Sequence, residues 1–336
     1  MVRRFNLADV LLVKRLQEQA ACLDLETALL WSPAPLSLAL LEYLSLSQAR
    51  STTFVENGSS GRQSPQGFLQ AWDRSDGVAC DVEFIAPPLN NSTDNFRLWC
   101  DFLEHLTVSK GASRVQRIFA RVPQDGRAVE AFRNTGFTAY ARRHVFRLVQ
   151  IPAVLPGAGG DFLRPLRGGD DSKVHSLRSS VTPRLVQHAE GAPHAEHDPT
   201  ALLPWWKSHQ TREYVWEQDG AVRAYLRFLI GQDGHWLRIL FDPAMGRQVD
   251  DLVSDALALI TSLPALPVYC SVREYEGPLR GALESAGFDS LATEVLMVKH
   301  TTVPARIAVN KLSPALEKGV ETAAPVSTSE SRETGI

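Results

Sequence analysis

A tyrosine between two glutamates, Glu274-Tyr275-Glu276, follows directly after an apolar segment typical of a buried strand, residues 268–272. A carboxylate can accept a proton from an amine, and a phenol can donate one. Tyr275 is the nearest hydroxyl on this segment, and Glu274 and Glu276 flank it. These residue types permit acid–base chemistry, with Tyr275 and Glu274 as the catalytic candidates. A surface or packing role for all three residues is the alternative.

A second candidate is the turn before a predicted helix at residues 249–263, where Gly246 is followed by Arg247. The N–H groups at a helix N-terminus attract anions, and glycine lets an anion approach the backbone closely. Asp250 and Asp251 suit the positive end of a helix as caps, but their carboxylates would repel an anion bound nearby. The turn is therefore either an anion site or an ordinary helix start.

A polar loop at residues 183–199 combines three histidines with three acids. They are His188, His194, His197, Glu190, Glu196 and Asp198. Their spacing fits no helical metal-ligand motif, so we interpret the segment as a solvated loop and predict no metal site. The glycine-rich stretch 157–160 precedes a strand, whereas a dinucleotide-binding fingerprint would open a helix.

The composition of the 336 residues excludes several classes of protein. Hydrophobic residues make up 44% and charged residues 22%, which is enough for buried cores in two domains. The net charge of −3 with mixed signs argues against nucleic-acid or polybasic membrane binding. The four cysteines have no C-x-x-C spacing, which argues against a zinc site or a disulfide framework. We expect a cytoplasmic protein without a signal peptide or membrane span, either a monomer or a homodimer.

Hydrophobic periodicity and turn residues predict the same order of elements in both halves of the chain. The order is a strand, two helices, three strands, a helix, a strand, a helix that ends before Gly-Phe, and a closing strand. In the first half these are residues 2–5, 8–21, 35–46, 52–56, 67–72, 78–86, 95–109, 115–122, 128–134 and 139–149. In the second half they are residues 162–166, 173–180, 200–209, 213–217, 221–230, 235–241, 249–263, 268–272, 279–285 and 291–298.

The repeat predicts a duplicated domain, because its period is about 150 residues. The boundaries we expect are a first domain at 1–150, a linker at 151–161 and a second domain at 162–303. Residues 304–336 lack aromatic residues and end in a polar stretch, so we predict a disordered tail.

This order, with Gly136-Phe137, Gly287-Phe288 and Asp242-Pro243, resembles the GNAT superfamily of acyl-CoA-dependent N-acyltransferases. The resemblance covers residues 2–149 and again 162–300. It implies an α/β fold of two GNAT-like domains, each a mixed, mainly antiparallel sheet flanked by helices on both faces.

The resemblance also implies where acetyl-CoA or another acyl-CoA would bind. Its pyrophosphate would lie on the turn after the third meander strand of the second half, where the implied residues are Phe241, Gly246, Arg247, Gln248 and Val249. Gln248 departs from the small residue that the family pattern places there. The corresponding turn of the first half, residues 88–94, has no glycine, so the first half is expected to be a degenerate scaffold.

The implied activity is transfer of an acyl group to the amine of a small molecule or peptide, by direct attack in a ternary complex. Many members of the superfamily carry a tyrosine four residues before the glycine of Gly-Phe. Here those positions hold Phe132 and Leu283, which donate no proton, and this departure directs attention to Tyr275 and its flanking glutamates. The alternative is a catalytically inactive binding or scaffolding protein of the same fold.

Overall fold

The computed structural model describes residues 1–32, 34–44, 50–58, 65–74, 76–89, 92–152, 162–191 and 210–301. Its strands are β1 Arg3–Arg4, β2 Ala21–Cys22, β3 Ser51–Glu56, β4 Gly67–Asp73, β5 Ala79–Ala86, β6 Arg117–Pro123, β7 Thr138–Leu148, β8 Leu163–Pro165, β9 Gln210–Gln218, β10 Ala221–Ile230, β11 His235–Phe241, β12 Val268–Arg273 and β13 Asp289–His300. Its α-helices are α1 Val10–Leu16, α2 Leu25–Trp31, α3 Pro35–Tyr43, α4 Thr93–Ala112, α5 Gly126–Asn134, α6 Asp171–Val181, α7 Arg184–Glu190, α8 Gln248–Ile260 and α9 Gly277–Ser285.

Within this described part, all strands join one mixed sheet in which the two halves exchange their closing strands. The order is β1-β3-β4-β5-β6-β13-β7-β12-β11-β10-β9-β8, and β2 pairs with β5 off this path. β13, from the end of the second half, pairs with β6 of the first half, whereas β7 pairs with β12 of the second. β7 and β13 also pair with each other at the centre. The exchange joins the halves through continuous backbone hydrogen bonding.

Each half contains one parallel strand pair that separates after three residues. β5 and β6 pair from Ala79↔Arg117 to Asp81↔Phe119, and β11 and β12 pair from His235↔Val268 to Leu237↔Cys270. Beyond these positions the two strands of each pair no longer bond to each other. Each half therefore has a gap between two parallel strands. The gap opens toward the carboxyl ends of the strands, where the turns that follow them lie.

Helices cover both faces of the sheet and bury its apolar side chains. One face carries α4 and α5 over the first half, around Trp99 and Phe132, and α8 and α9 over the second, around Leu257 and Leu283. The opposite face carries α1 and α3, α2, α7 and α6. This confirms the predicted fold class, a mixed α/β structure with helices on both faces of its sheet.

Two predicted helix ends have the expected left-handed backbone. Gly136 and Gly287 have φ angles of 86° and 91°, which a residue with a Cβ atom adopts only with strain. Phe137 and Phe288, which follow them, are both buried, at 3% exposure. The glycines let the chain reverse, and the phenylalanines fix the reversal to the core.

The structure corrects the sequence-based elements at several points. The periodicity did not predict β2 or α2, and the polar loop expected from residue 183 contains α7. The N-cap of α4 is Ser92, whose hydroxyl accepts hydrogen bonds from the N–H groups of Asp94 and Asn95. A seven-residue helix or a two-residue strand carries too little periodic sequence to be recognised, and tertiary contacts stabilise both.

Residues Met1–Val303 form one compact unit. The division into domains at 1–150 and 162–303 remains a prediction from the sequence repeat. Most of the expected linker, the expected helix 200–209 and the expected disordered tail 304–336 lie outside the described residues. Among the helices that the structure describes, none combines the length and apolar character needed to cross a bilayer.

Candidate functional site

A cavity of about 190 Å³ opens at the middle of the sheet, on the face that carries α6 and α7. Alternation along the strands positions its lining. On β12, Ser271 and Arg273 line the cavity. Cys270 and Val272, which alternate with them, are buried in the core on the other face. The same alternation directs side chains from β6, β7, β10, β11 and β13 into the cavity. Both halves therefore contribute to it.

Arginines dominate this lining. They are Arg74, Arg121, Arg143, Arg178, Arg227, Arg238 and Arg273. Among the described residues, the acids that line the cavity are Asp81, Glu190 and Glu276. We call these ten charged residues and the space they enclose the arginine cavity.

Carboxylates from a second layer hold several of the guanidinium groups. Asp24 and Glu26 are fully buried, and Glu294 is 1% exposed, and none of these three lines the cavity. Arg121 pairs with Asp24 at 3.3 Å, and Arg238 pairs with Glu26 at 2.5 Å. Arg143 Nε lies 2.7 Å from the carboxylate of Glu294. Two of these pairs join the halves: Arg238–Glu26 links β11 to α2, and Arg143–Glu294 links β7 to β13. Buried charges need such partners, so the network fixes the halves relative to each other.

Of the three carboxylates that line the cavity, Glu276 has the clearest shift in pKa. Burial disfavours its ionised form and raises its pKa to about 7, while the backbone N–H of Arg273 opposes this by donating to Oε2 at 2.8 Å. A carboxyl group with this pKa is partly ionised at neutral pH. It can therefore accept a proton from an ammonium group and release it again.

Tyr275 lies beside Glu276 and is half-buried. Its hydroxyl oxygen accepts a hydrogen bond from Arg273 Nη1 at 3.0 Å, and burial raises its pKa above the ordinary value of 10. The phenol therefore stays protonated at neutral pH, and because Arg273 donates to its oxygen, its own hydrogen is available for another acceptor.

The structure does not bring Glu274 into the arginine cavity. Its side chain is exposed and pairs with the exposed Arg142 at 3.0 Å. Residues 274 and 275 form a turn after β12, and this turn leaves Glu274 exposed whereas Tyr275 and Glu276 line the cavity. Of the two glutamates that flank Tyr275, Glu276 is the one with access to the cavity.

The turn at Gly246 lies beside the gap between β11 and β12. Gly246 has φ 56° and ψ −122°, and a Cβ atom built there would meet nothing within 4 Å. Arg247 and Gln248 are exposed, and Phe241 and Val249 are buried, at 3% and 2% exposure, beneath the turn. Among the described residues, the backbone N–H groups of Arg247 and Gln248 have no hydrogen-bond acceptor. Both N–H groups are therefore free to bind an anion.

A narrow cavity of about 30 Å³ lies between the end of β11 and the segment after β12. Its lining includes Phe241 and Pro243 from the turn and Tyr275, Glu276 and Pro278 from the segment after β12. Tyr275 and Glu276 line both cavities. The end of β11, which leads into the turn at Gly246, and the two candidate acid–base residues therefore lie on opposite sides of the gap between β11 and β12.

The corresponding gap in the first half is filled by the chain itself. β2 pairs with β5 through Ala21↔Ile85 and Cys22↔Phe84, and the N–H of Leu23 donates to the carbonyl oxygen of Glu83 at 2.7 Å. These bonds use the edge of β5 that the separation of β5 and β6 leaves open. A ligand cannot pair with this edge unless the segment leaves.

The solved structures that resemble this one include structures of acetyltransferases. A GCN5-related N-acetyltransferase from Sphaerobacter thermophilus is 13% identical, with a TM-score of 0.52 over 90% of this chain and 95% of its own. The chain has the GCN5-related N-acetyltransferase fold. A tandem GNAT protein from the clavulanic acid biosynthesis pathway, determined without acetyl-CoA, is 14% identical over 75% of this chain and 83% of its own, with a TM-score of 0.47. A GCN5-related N-acetyltransferase from Anabaena variabilis is 12% identical over 90% and 74%, with a TM-score of 0.43.

The fold assignment rests on the first of these structures. A scan against protein-family models finds no match, and a search of curated protein sequences finds none either. At 13% identity the likeness establishes the acetyltransferase fold, and the chemistry must be argued from the site.

Sequence reasoning missed the arginine cavity of this acetyltransferase fold, although a signal was present. Arg121, Arg227 and Arg238 each stand inside a strand that is otherwise largely apolar. A charged residue in a buried strand needs a partner or a polar cavity, and several such residues on adjacent strands indicate one site. Residue spacing did not show that the strands are adjacent.

In the described part of the chain, no three His, Cys, Asp or Glu side chains form a group that could hold a metal ion. Glu190, one of the three acids of the polar segment 183–199, pairs with Arg273 at 2.8 Å. His194, His197, Glu196 and Asp198 lie outside the described residues.

Proposed function

We propose that the second half transfers an acyl group from an acyl-CoA to an amine held in the arginine cavity. The observation that carries this proposal is the open gap between β11 and β12, with the end of β11 that leads into the turn at Gly246 on one side and Tyr275 and Glu276 on the other. The filled gap of the first half supports the absence of a second acyl-CoA site there, so that this half contributes only to the walls of the arginine cavity.

The turn and the open strand edge fit an acyl-CoA. The free N–H groups of Arg247 and Gln248 and the side chain of Arg247 would hold its pyrophosphate, and the glycine at 246 keeps the approach clear. The unpaired edge of β11 beyond Leu237 offers backbone groups to its amide-containing arm. When bound, an acyl-CoA supplies a thioester whose acyl carbon passes from sulfur to the amine nitrogen.

Glu276 and Tyr275 supply the acid–base chemistry in this proposal. Glu276 takes a proton from the ammonium group of the acceptor, which leaves the amine free to act as a nucleophile. Tyr275 keeps its phenolic hydrogen at neutral pH and can donate it toward a negative charge that develops beside it. Arg273 positions both groups, through its backbone N–H for Glu276 and its guanidinium for Tyr275.

The first test is a calorimetric titration of the purified protein with acetyl-CoA, beside the same titration with CoA that lacks the acetyl group. We expect saturable binding at one site per chain. Absence of binding at millimolar ligand would refute the acyltransferase proposal and leave a binding or scaffolding protein of this fold as the remaining interpretation.

Two matched pairs of variants test the turn. Arg247→Glu should abolish acetyl-CoA binding with little change in Tm, because Arg247 is exposed; Arg97→Glu makes the same charge change on the exposed face of α4, the first-half counterpart of α8, and should leave binding intact. Gly246→Ala should weaken binding, whereas Gly220→Ala, at a hairpin with φ 75° and open space, carries a similar backbone strain without an effect on binding. Equal binding by Arg247→Glu and the parent protein would contradict the assignment of this turn.

A further inference from the structure

The arginine cavity has more cationic than anionic groups in its lining. Seven arginines and three acids line it, whereas Asp24, Glu26 and Glu294 pair with Arg121, Arg238 and Arg143 from the second layer. A guanidinium has five N–H donors, and one carboxylate accepts two of them at most in a bidentate pair. The lining of the cavity therefore favours an anion.

Arg227 has a distant partner in this network. It lies directly opposite Arg238 in the pairing of β10 with β11. Like charges at opposite positions of neighbouring strands destabilise a sheet unless an anion compensates for them. Glu26 pairs with Arg238, but within the described part of the chain the carboxylate paired with Arg227 is that of Glu213, at 3.9 Å. The buried Nε of Arg227 has no hydrogen-bond acceptor among the described residues.

Glu213 is too far from Arg227 for a hydrogen bond. Its Oε1 lies 3.9 Å from Arg227 Nε and accepts a hydrogen bond from the hydroxyl of Tyr225. Tyr225 and Arg227 both line the cavity. A ligand anion in the cavity would compensate for the like charges of Arg227 and Arg238.

The position of Arg227 relative to Glu276 sets the approximate size of such a ligand. Glu276 follows β12, and Arg227 is on β10, with β11 between them. Adjacent paired strands are about 4.8 Å apart, and β11 and β12 separate beyond Leu237 and Cys270, so the two backbones are at least roughly 10 Å apart. Both residues line the same cavity. A molecule with an amine at one end and an anionic group several bonds away would reach both.

We propose that the acceptor is a small amine that also carries a carboxylate or phosphate group, and that Arg227 binds this anionic group. The inference rests on the proposed function for the role of the amine, but the anion site itself can be tested without any acyl donor. Arginine suits this task because its planar fork of donors matches carboxylate and phosphate oxygens.

The test separates anion binding from acyl transfer. Succinate and inorganic phosphate are titrated into the full-length protein by calorimetry without acetyl-CoA, with the parent protein, Arg227→Gln and Arg212→Gln. Arg212 is an exposed arginine on β9, so its variant controls for the loss of a positive charge. We expect one of the two anions to bind the parent protein and the Arg212 variant equally, and the Arg227 variant on the order of tenfold more weakly or worse. Comparison of succinate with phosphate identifies the preferred group.

Acyl transfer is then measured with two pairs of amines, each a charged amine and its neutral counterpart: 4-aminobutyrate against its amide, and phosphoethanolamine against ethanolamine. We expect acetyl-CoA-dependent release of free thiol with a charged member and a KM on the order of tenfold higher for Arg227→Gln. If transfer fails but anion binding depends on Arg227, the proposed function is wrong and the anion site stands. If neutral amines react as well as charged ones, or if both arginine variants bind anions like the parent protein, the anion site is refuted and the arginines serve only to join the halves.

Discussion

Replacement of Glu276 by glutamine should change how the stability of the protein depends on pH. Burial raises the pKa of Glu276 to about 7, from an ordinary value of 4.5. The folded protein therefore binds this proton more tightly than the unfolded chain does. The resulting stabilisation is fully present below about pH 4.5 and is lost as the pH rises through 7. At about 1.4 kcal/mol per pH unit, the difference corresponds to ~3 kcal/mol.

Glutamine keeps the local geometry, because its amide oxygen can accept the hydrogen bond from the N–H of Arg273 that Glu276 Oε2 now accepts. The free energy of unfolding is measured by urea denaturation of the parent protein and Glu276→Gln between pH 5 and pH 8. The variant should gain stability relative to the parent by ~3 kcal/mol over this range. Glu274→Gln, which removes an exposed carboxylate beside the same tyrosine, should stay within about 0.5 kcal/mol of the parent at every pH.

A flat difference between Glu276→Gln and the parent protein across this range would refute the reasoning, since it would mean that water reaches the carboxylate. The same ionisation should govern activity if Glu276 is the base. We expect the rate of acyl transfer to fall below about pH 7 in the parent protein. Removal of the base should lower kcat by about a hundredfold or more.

Three further substitutions test other parts of the molecule. Tyr275→Phe should lower kcat by about tenfold to a hundredfold with little change in KM, which steady-state kinetics would show; an unchanged kcat would rule out the phenol as the proton donor. Asp24→Asn should destabilise the fold by about 3 kcal/mol in urea denaturation, because it leaves the buried Arg121 with one fewer counter-charge. Gly67→Ala should lower stability by about 2 kcal/mol or more, because its Cβ would stand 2.3 Å from a backbone oxygen of β5. Gly126→Ala, in open space at the start of α5, should be nearly neutral, and equal stability of the two alanine variants in calorimetry would contradict the packing argument.

The sequence was sufficient for the secondary structure wherever local signals are strong. β10 and β11 have the predicted bounds, because alternating apolar residues and Asp-Gly hairpin turns specify them. The repeated order of elements also pointed to the acyltransferase-like fold. Short elements, such as β2 and α7, were missed because they have too few residues for a periodic pattern to be recognised.

The candidate site was predicted in part. The turn at Gly246 and the segment at Tyr275 could be identified because their residue types suit anion binding and proton transfer. The choice between Glu274 and Glu276 depended on which side chain faces the sheet interior, and the sequence placed them symmetrically around the tyrosine. Burial separates them, since Glu276 lines the cavity and Glu274 is exposed.

The amino-acid sequence by itself determined the elements of each half, the glycine reversals before the closing strands and the types of residue available for chemistry. The tertiary structure decided which strands are neighbours. The exchange of β7 and β13 between the halves, the filling of the first gap by β2 and the convergence of seven arginines on one cavity all depend on contacts between residues far apart in the chain. Local periodicity carries no information about such pairings, because many strands of similar pattern could pair equally well, and only the packing of the whole sheet selects among them.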